Sequence, residues 1–239
     1  MRASLLSALQ HFTRIRPGIG DDAAPTGQTL RAWPIAGLIV ALAQSLVFAL
    51  ASLVLPHPVA ILLAIASGLW LTGARHETGW MNWCERSGIA GLIVLIVLRF
   101  ETLAQIDADW LVAALLCAAA FSRACAVMVI SSLPASFNAS GQTLLQASAR
   151  ESGIALLVGA APVLGLIAWT GDLLAGVLAI ASAIIATAAI RRLSLRRRSM
   201  DRMTLMDAAQ QVAEIAFLLG LLIALGISGL DTSPEDEGS

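Results

Sequence analysis

Seven apolar segments are spaced along the chain, and every dense cluster of arginine falls on the same side of them. That pattern leaves little choice of fold. A helix needs about 20 predominantly apolar residues to cross the hydrocarbon core of a bilayer. In lipid, a helix also has the advantage of pairing its own backbone groups internally. The segments cover residues 34–55, 58–73, 88–104, 110–130, 153–170, 173–190 and 209–227. The second is short, so it continues through Pro58 or sits at a slant. The fifth and sixth, separated only by Gly171 and Asp172, read as a tight helical hairpin. The predicted class is all-α: a polytopic membrane protein of about seven transmembrane helices.

Composition agrees. Of 239 residues, 58% are hydrophobic and 13% charged, against about a quarter charged in soluble domains. The net charge of -1 hides a strict segregation. Arg2, Arg14, Arg16 and Arg31 precede the first segment. Arg75 and Arg86 follow the second, and Arg150 follows the fourth. Arg191, Arg192, Arg196, Arg197, Arg198 and Arg202 follow the sixth. The opposite connections carry Asp107, Asp109 and Asp172 and no arginine, and the tail carries Asp231, Glu235, Asp236 and Glu237. The positive-inside rule therefore predicts a cytoplasmic N-terminus and a C-terminus on the other side. The longer connections are the arginine-bearing ones, so chemistry or recognition is expected on that face. Three regions follow: an amphipathic interfacial segment and linker over 1–33, the helix bundle over 34–228, and an acidic disordered tail over 229–239. Nothing points to nucleic acid. Cys84, Cys117 and Cys125 have no metal or CxxC spacing and read as small apolar filler.

Ionisable groups inside spans are costly, which makes the few present informative. Arg123, beside Ser122, serves either a structural ion pair or phosphate binding. Arg99 and Glu101, near the outer end of the third segment, are expected to snorkel to the interface. Thr204, Asp207, Gln211 and Glu214 recur at helical spacing, with Gln210 beside them. They share one helix face, which belongs in the bundle interior, as interhelical hydrogen bonds or as a site. The connection over 72–82 holds adjacent His76 and Glu77, with Trp80 and Trp83 nearby. By spacing alone it is either an interfacial belt or part of a site.

Four stretches resemble the cobalamin synthase family. Ala8-Leu9-Gln10-His11-Phe12-Thr13-Arg14-Ile15 is similar to ALxFxTRxP, and Trp33-Pro34-Ile35-Ala36-Gly37 to FPLVG. Residues 72–79, Thr-Gly-Ala-Arg-His-Glu-Thr-Gly, resemble TGAFHEDGLAD, and Met206 through Glu214 resemble LGAAQQLAE. Ser122-Arg123-Ala124-Cys125-Ala126-Val127 is a weaker match to SRAMAV. The resemblance implies a bacterial inner-membrane enzyme with its C-terminus in the periplasm. It would join adenosylcobinamide-GDP to α-ribazole, releasing GMP, with Mg²⁺ as cofactor. It implies catalytic roles for His76, Glu77 and Asp207, and substrate contacts from Arg123, Gln211 and Glu214. Metal ligation would fall to Glu77, Asn82 and Asp207. Partners are then the two substrates and the lipid bilayer, with a homo-oligomer or a late-pathway membrane assembly beyond them. Where the family carries acidic residues, this chain has Thr78, Asn82 and Thr204. The alternative reading is therefore a catalytically degenerate member that binds corrinoid intermediates or scaffolds the pathway. A transporter is disfavoured by the lack of an inverted repeat.

Overall fold

The computed structural model describes residues 2–15, 26–134, 146–197 and 200–231. The acidic tail expected over 229–239 lies largely outside them. The described residues form ten α-helices and no strand: α1 (Arg2–Phe12), α2 (Gly27–Arg31), α3 (Trp33–Ala51), α4 (His57–Thr72), α5 (Arg75–Trp83), α6 (Gly88–Ala104), α7 (Ala108–Ser131), α8 (Ala149–Thr170), α9 (Leu173–Ser194) and α10 (Arg202–Asp231). Six of these, taking α6 with the 3₁₀ turn at Glu85–Ser87, are long and apolar enough to cross a bilayer. The second span of the sequence reading, over 58–73, is a broken one. The 16 residues of α4 reach about 24 Å, short of a hydrocarbon core of about 30 Å. The chain then bends by 88° into α5.

Local chemistry sets that bend. Gly73 closes α4 with φ +67°, the left-handed cap that glycine adopts without strain. Ala74 follows, also at positive φ (53°), and starts α5 in a new direction. The stretch expected as a loop is thus a nine-residue helix lying across the bundle end. Sequence alone hid it, because its mixed polar and aromatic content and internal Gly79 carry no long periodic signal. At the other end of the bundle, Gly171 (φ +72°) ends α8, and the Asp172 carboxylate accepts from the Ala175 N–H at 2.8 Å to start α9. This is the tight hairpin that the sequence predicts.

α7 is the most enclosed span. Two apolar clusters surround it. One is built on Phe48, Ile61, Leu103, Phe121 and Phe217. The other, on the arginine-rich side, is built on Phe12, Trp33, Ile130, Leu205 and Met206. α1 packs Ala8, Leu9 and Phe12 into this second cluster, with Phe12 stacked on Trp33 at 4.5 Å. Large apolar side chains such as Leu46, Ile93, Leu157, Leu164 and Ile185 point outward, as a bundle solvated by acyl chains requires. Along α7 and α10 the buried polar residues fall between the two apolar clusters.

Candidate functional site

The site is built where α5 meets the first turns of α10. Close approach is possible because Gly79 has no side chain: a Cβ there would lie 2.2 Å from the Asp207 Cβ. Across this contact His76 Nδ1 donates to Asp207 Oδ1 at 2.7 Å, and Gln211 Nε2 donates to Glu77 Oε1 at 2.8 Å. His76 is clamped from above, with its ring 5.5 Å from that of Trp33 and 6.2 Å from that of Phe12.

Below lies a layer of charge. Arg99 of α6 bonds Glu214 through NH2 and approaches Glu77 Oε1 at 3.8 Å. Arg123 of α7 donates to the Ala119 carbonyl at 2.8 Å and stands 3.9 Å from Glu214 Oε2. Gln210 donates to Glu214 and to Ser122 Oγ. Gly37 of α3 makes room for the Arg123 stem, since a Cβ there would lie 2.5 Å from its Cδ. The layer thus holds carboxylates from Glu77, Asp207 and Glu214 against guanidiniums from Arg99 and Arg123. Ions taken out of water persist only when paired and hydrogen-bonded in this way. His76, Glu77, Arg99, Arg123, Gln211 and Glu214 line a cavity of about 10 Å³, the size of one water. Of the seven buried side-chain polar atoms without a protein partner among the described residues, five belong to this layer: His76 Nε2, Glu77 Oε2, Arg99 Nε, Gln210 Oε1 and Gln211 Oε1.

A second, larger recess of about 340 Å³ lies beside this layer, lined by Asn82, Glu85, Arg197, Met200, Asp201 and Thr204. Arg197 lies over the Trp83 ring at 4.3 Å, and Trp83 stacks on Trp80 at 5.2 Å. Asp201 caps α10, accepting from Thr204 N at 2.8 Å and Thr204 Oγ1 at 2.6 Å. Nearby, burial pushes the Cys84 thiol above its ordinary 9.0, with Arg197 pulling the other way.

The structure therefore brings His76, Glu77, Asp207, Arg123, Gln211 and Glu214 together, and sets Asn82 apart in the open recess. Glu77, Asn82 and Asp207 are not brought together as one set in this structure. Glu77 and Asp207 are engaged by Gln211 and His76, and no group of three His, Cys, Asp or Glu among the described residues is placed to hold a metal. Arg99 is the residue that the sequence reading misplaced. It does not snorkel; it is 8% exposed and neutralises Glu77 and Glu214, whereas Glu101 is exposed as expected. Two buried acids with one other interior arginine to balance them were the available signal.

Comparison with known proteins fits this geometry. A family model described as cobalamin-5-phosphate synthase matches residues 4–85 and 86–222. The chain belongs to the cobalamin-5-phosphate synthase family. An adenosylcobinamide-GDP ribazoletransferase of Bradyrhizobium diazoefficiens is 31% identical over 91% of this chain and 92% of its own length. One from Azorhizobium caulinodans is 29% identical over 92% and 96%. A protein of the same name from Shewanella frigidimarina is 37% identical over a shorter stretch, 34% of this chain and 32% of its own. No solved structure matches. Both contact helices of the site, α5 and the start of α10, fall inside the matched residues.

Proposed function

We propose that this membrane protein is an adenosylcobinamide-GDP ribazoletransferase. A ribose hydroxyl of α-ribazole attacks the phosphorus carried by the cobinamide, the bond to the GMP oxygen breaks, and adenosylcobalamin and GMP result. One observation carries the reading within this family: residues 75–83 and the start of α10, far apart in sequence, fold into a single polar layer through the His76–Asp207 and Glu77–Gln211 contacts. The arginine-rich face, which the charge asymmetry assigns to the cytoplasm of a bacterial inner membrane, is where both soluble substrates would arrive.

The two compartments suggest a division of labour. The open recess has room for a phosphate-bearing group beside the Arg197 guanidinium, and Arg forks suit phosphate. The buried layer is too small for substrate. Glu77, Arg123, Gln211 and Glu214 act there by holding α5, α7 and α10 in register, and Arg99 neutralises them. His76 has its orientation fixed by Asp207 and Nε2 unpartnered, an arrangement that suits a proton acceptor for the attacking hydroxyl. Because His76 is 2% exposed, the transfer requires α5 to lift from Trp33. The Mg²⁺ dependence implied by the resemblance is part of the proposal, with its ligands not assigned to Glu77, Asn82 and Asp207 as a set, and no step is routed through the ion.

The test is GMP release by purified protein in liposomes, given adenosylcobinamide-GDP and α-ribazole with and without Mg²⁺. Release that requires both substrates and Mg²⁺ is expected. A folded, reconstituted protein that releases no GMP would overturn the assignment.

A further inference from the structure

The last turns of α7 and α9 do not close on each other. A crevice of about 290 Å³ separates them, walled by Met128, Val129, Ile184 and Ala188. It runs from Cys125 to Ser132, a depth of about 10 Å along a helix axis. Its walls are mostly apolar, with Cys125 and Thr187 among them, so water gains few hydrogen bonds inside it. Ile184 is 45% exposed, and its neighbour Ile185 faces fully outward. The crevice thus belongs to the side of α9 that acyl chains solvate.

One end is charged. Arg191 stands at the mouth with its guanidinium fixed in place. Nε donates to Ser132 Oγ at 2.8 Å, and NH2 to the Ser132 carbonyl at 2.9 Å. NH1 has no protein partner among the described residues. Arg192 and Arg196 are exposed beyond it, on the arginine-rich end of the bundle. A guanidinium held in a fixed orientation, with a donor to spare, is pre-organised for a phosphate oxygen. A mostly apolar slot ten ångströms deep, capped by such a group at the level where a span leaves the membrane, matches an acyl chain with an anionic headgroup. Basic pockets between spanning helices recognise acidic headgroups in this way.

We propose that the α7–α9 crevice is a binding site for an anionic phospholipid, one acyl chain lying against Val129 and Ala188 and the phosphate on Arg191. The site is separate from the polar layer and does not depend on the function proposed above.

The test uses the delipidated full-length chain in detergent, titrated with dioleoyl-phosphatidylglycerol or dioleoyl-phosphatidylcholine, with bound lipid counted by native mass spectrometry. Phosphatidylglycerol is expected to bind more tightly than phosphatidylcholine. Arg191→Gln should weaken phosphatidylglycerol by about fivefold and erase the preference. Ala188→Phe, which fills the slot while keeping the charge, should weaken both lipids. Arg86→Gln, on a distant surface arginine, should change neither. Inorganic phosphate should fail to displace the lipid. Equal binding of the two lipids to the wild-type chain would overturn the proposal. So would full binding to Ala188→Phe, or displacement by phosphate alone. The wild-type comparison and the phosphate competition stand even where one variant fails to fold, which helical circular dichroism would reveal.

Discussion

Arg99→Gln tests the buried charge layer most directly. The guanidinium is 8% exposed, bonds Glu214, and lies 3.8 Å from Glu77. Its removal leaves two buried carboxylates facing Arg123 alone, which already stands 3.9 Å from Glu214. Breaking a buried ion pair from one side costs about 3–5 kcal/mol, because the surviving charge is left in a low-dielectric interior. For a chain of this size each kcal/mol moves the melting midpoint by about 2–4 °C. Arg99→Gln should therefore melt roughly 6–20 °C lower in detergent, followed by helical circular dichroism. Glu101→Gln, two residues on and exposed, should change stability by no more than about 0.5 kcal/mol. The double variant Arg99→Gln/Glu214→Gln removes both members of the pair and should regain much of the loss. If Arg99→Gln melts alongside Glu101→Gln, Arg99 faces water or headgroups and the charge layer described here does not exist.

Other perturbations probe the same region. Gly79→Ala puts a Cβ 2.2 Å from that of Asp207 and should cost about 1–3 kcal/mol; adding Asp207→Gly should relieve the clash, and the pair of melts decides it. Asp207→Asn keeps the shape but removes the carboxylate that orients His76, so GMP release should fall about 100-fold with little change in melting; a wild-type rate would show that the pair does not act in turnover. The Cys84 thiol, held above 9.0 by burial, should alkylate slowly at neutral pH and faster as pH rises past that value, a profile that Cys84→Ser abolishes. For orientation, Asp172→Cys and Arg150→Cys on a Cys84→Ser background should be labelled by an impermeant maleimide from opposite sides of the membrane; labelling from one side would refute the topology.

Much of the bundle was legible from composition, because lipid imposes a one-dimensional rule. A span must be long, apolar and helical, so its position can be read from a window of residues. The segment 88–104 coincides with α6, and the break at Gly171–Asp172 is where α8 ends and α9 begins. Charge asymmetry likewise needs only the sequence and predicts the topology that remains to be measured. The polar stripe Asp207–Gln211–Glu214 was legible as inward-facing because helical spacing puts it on one face and lipid excludes it.

What the sequence did not contain was which charges meet. Whether Arg99 reaches the headgroups or turns inward depends on the rotation of α6 and on the presence of Glu77 and Glu214 beside it, a matter of packing rather than of local pattern. The 88° break that lays α5 across the bundle, and so separates Asn82 in the open recess from Glu77 in the buried layer, rests on two positive-φ residues, Gly73 and Ala74. His76 and Asp207 are 131 positions apart. Composition and periodicity determined that this chain lives in a membrane, where its spans lie, and which helix face is polar. Tertiary structure alone decided that Glu77 and Glu214 meet Arg99 and Arg123 while Asp207 meets His76, because pairing is set by side chains from four helices converging in a medium that tolerates no unpartnered charge.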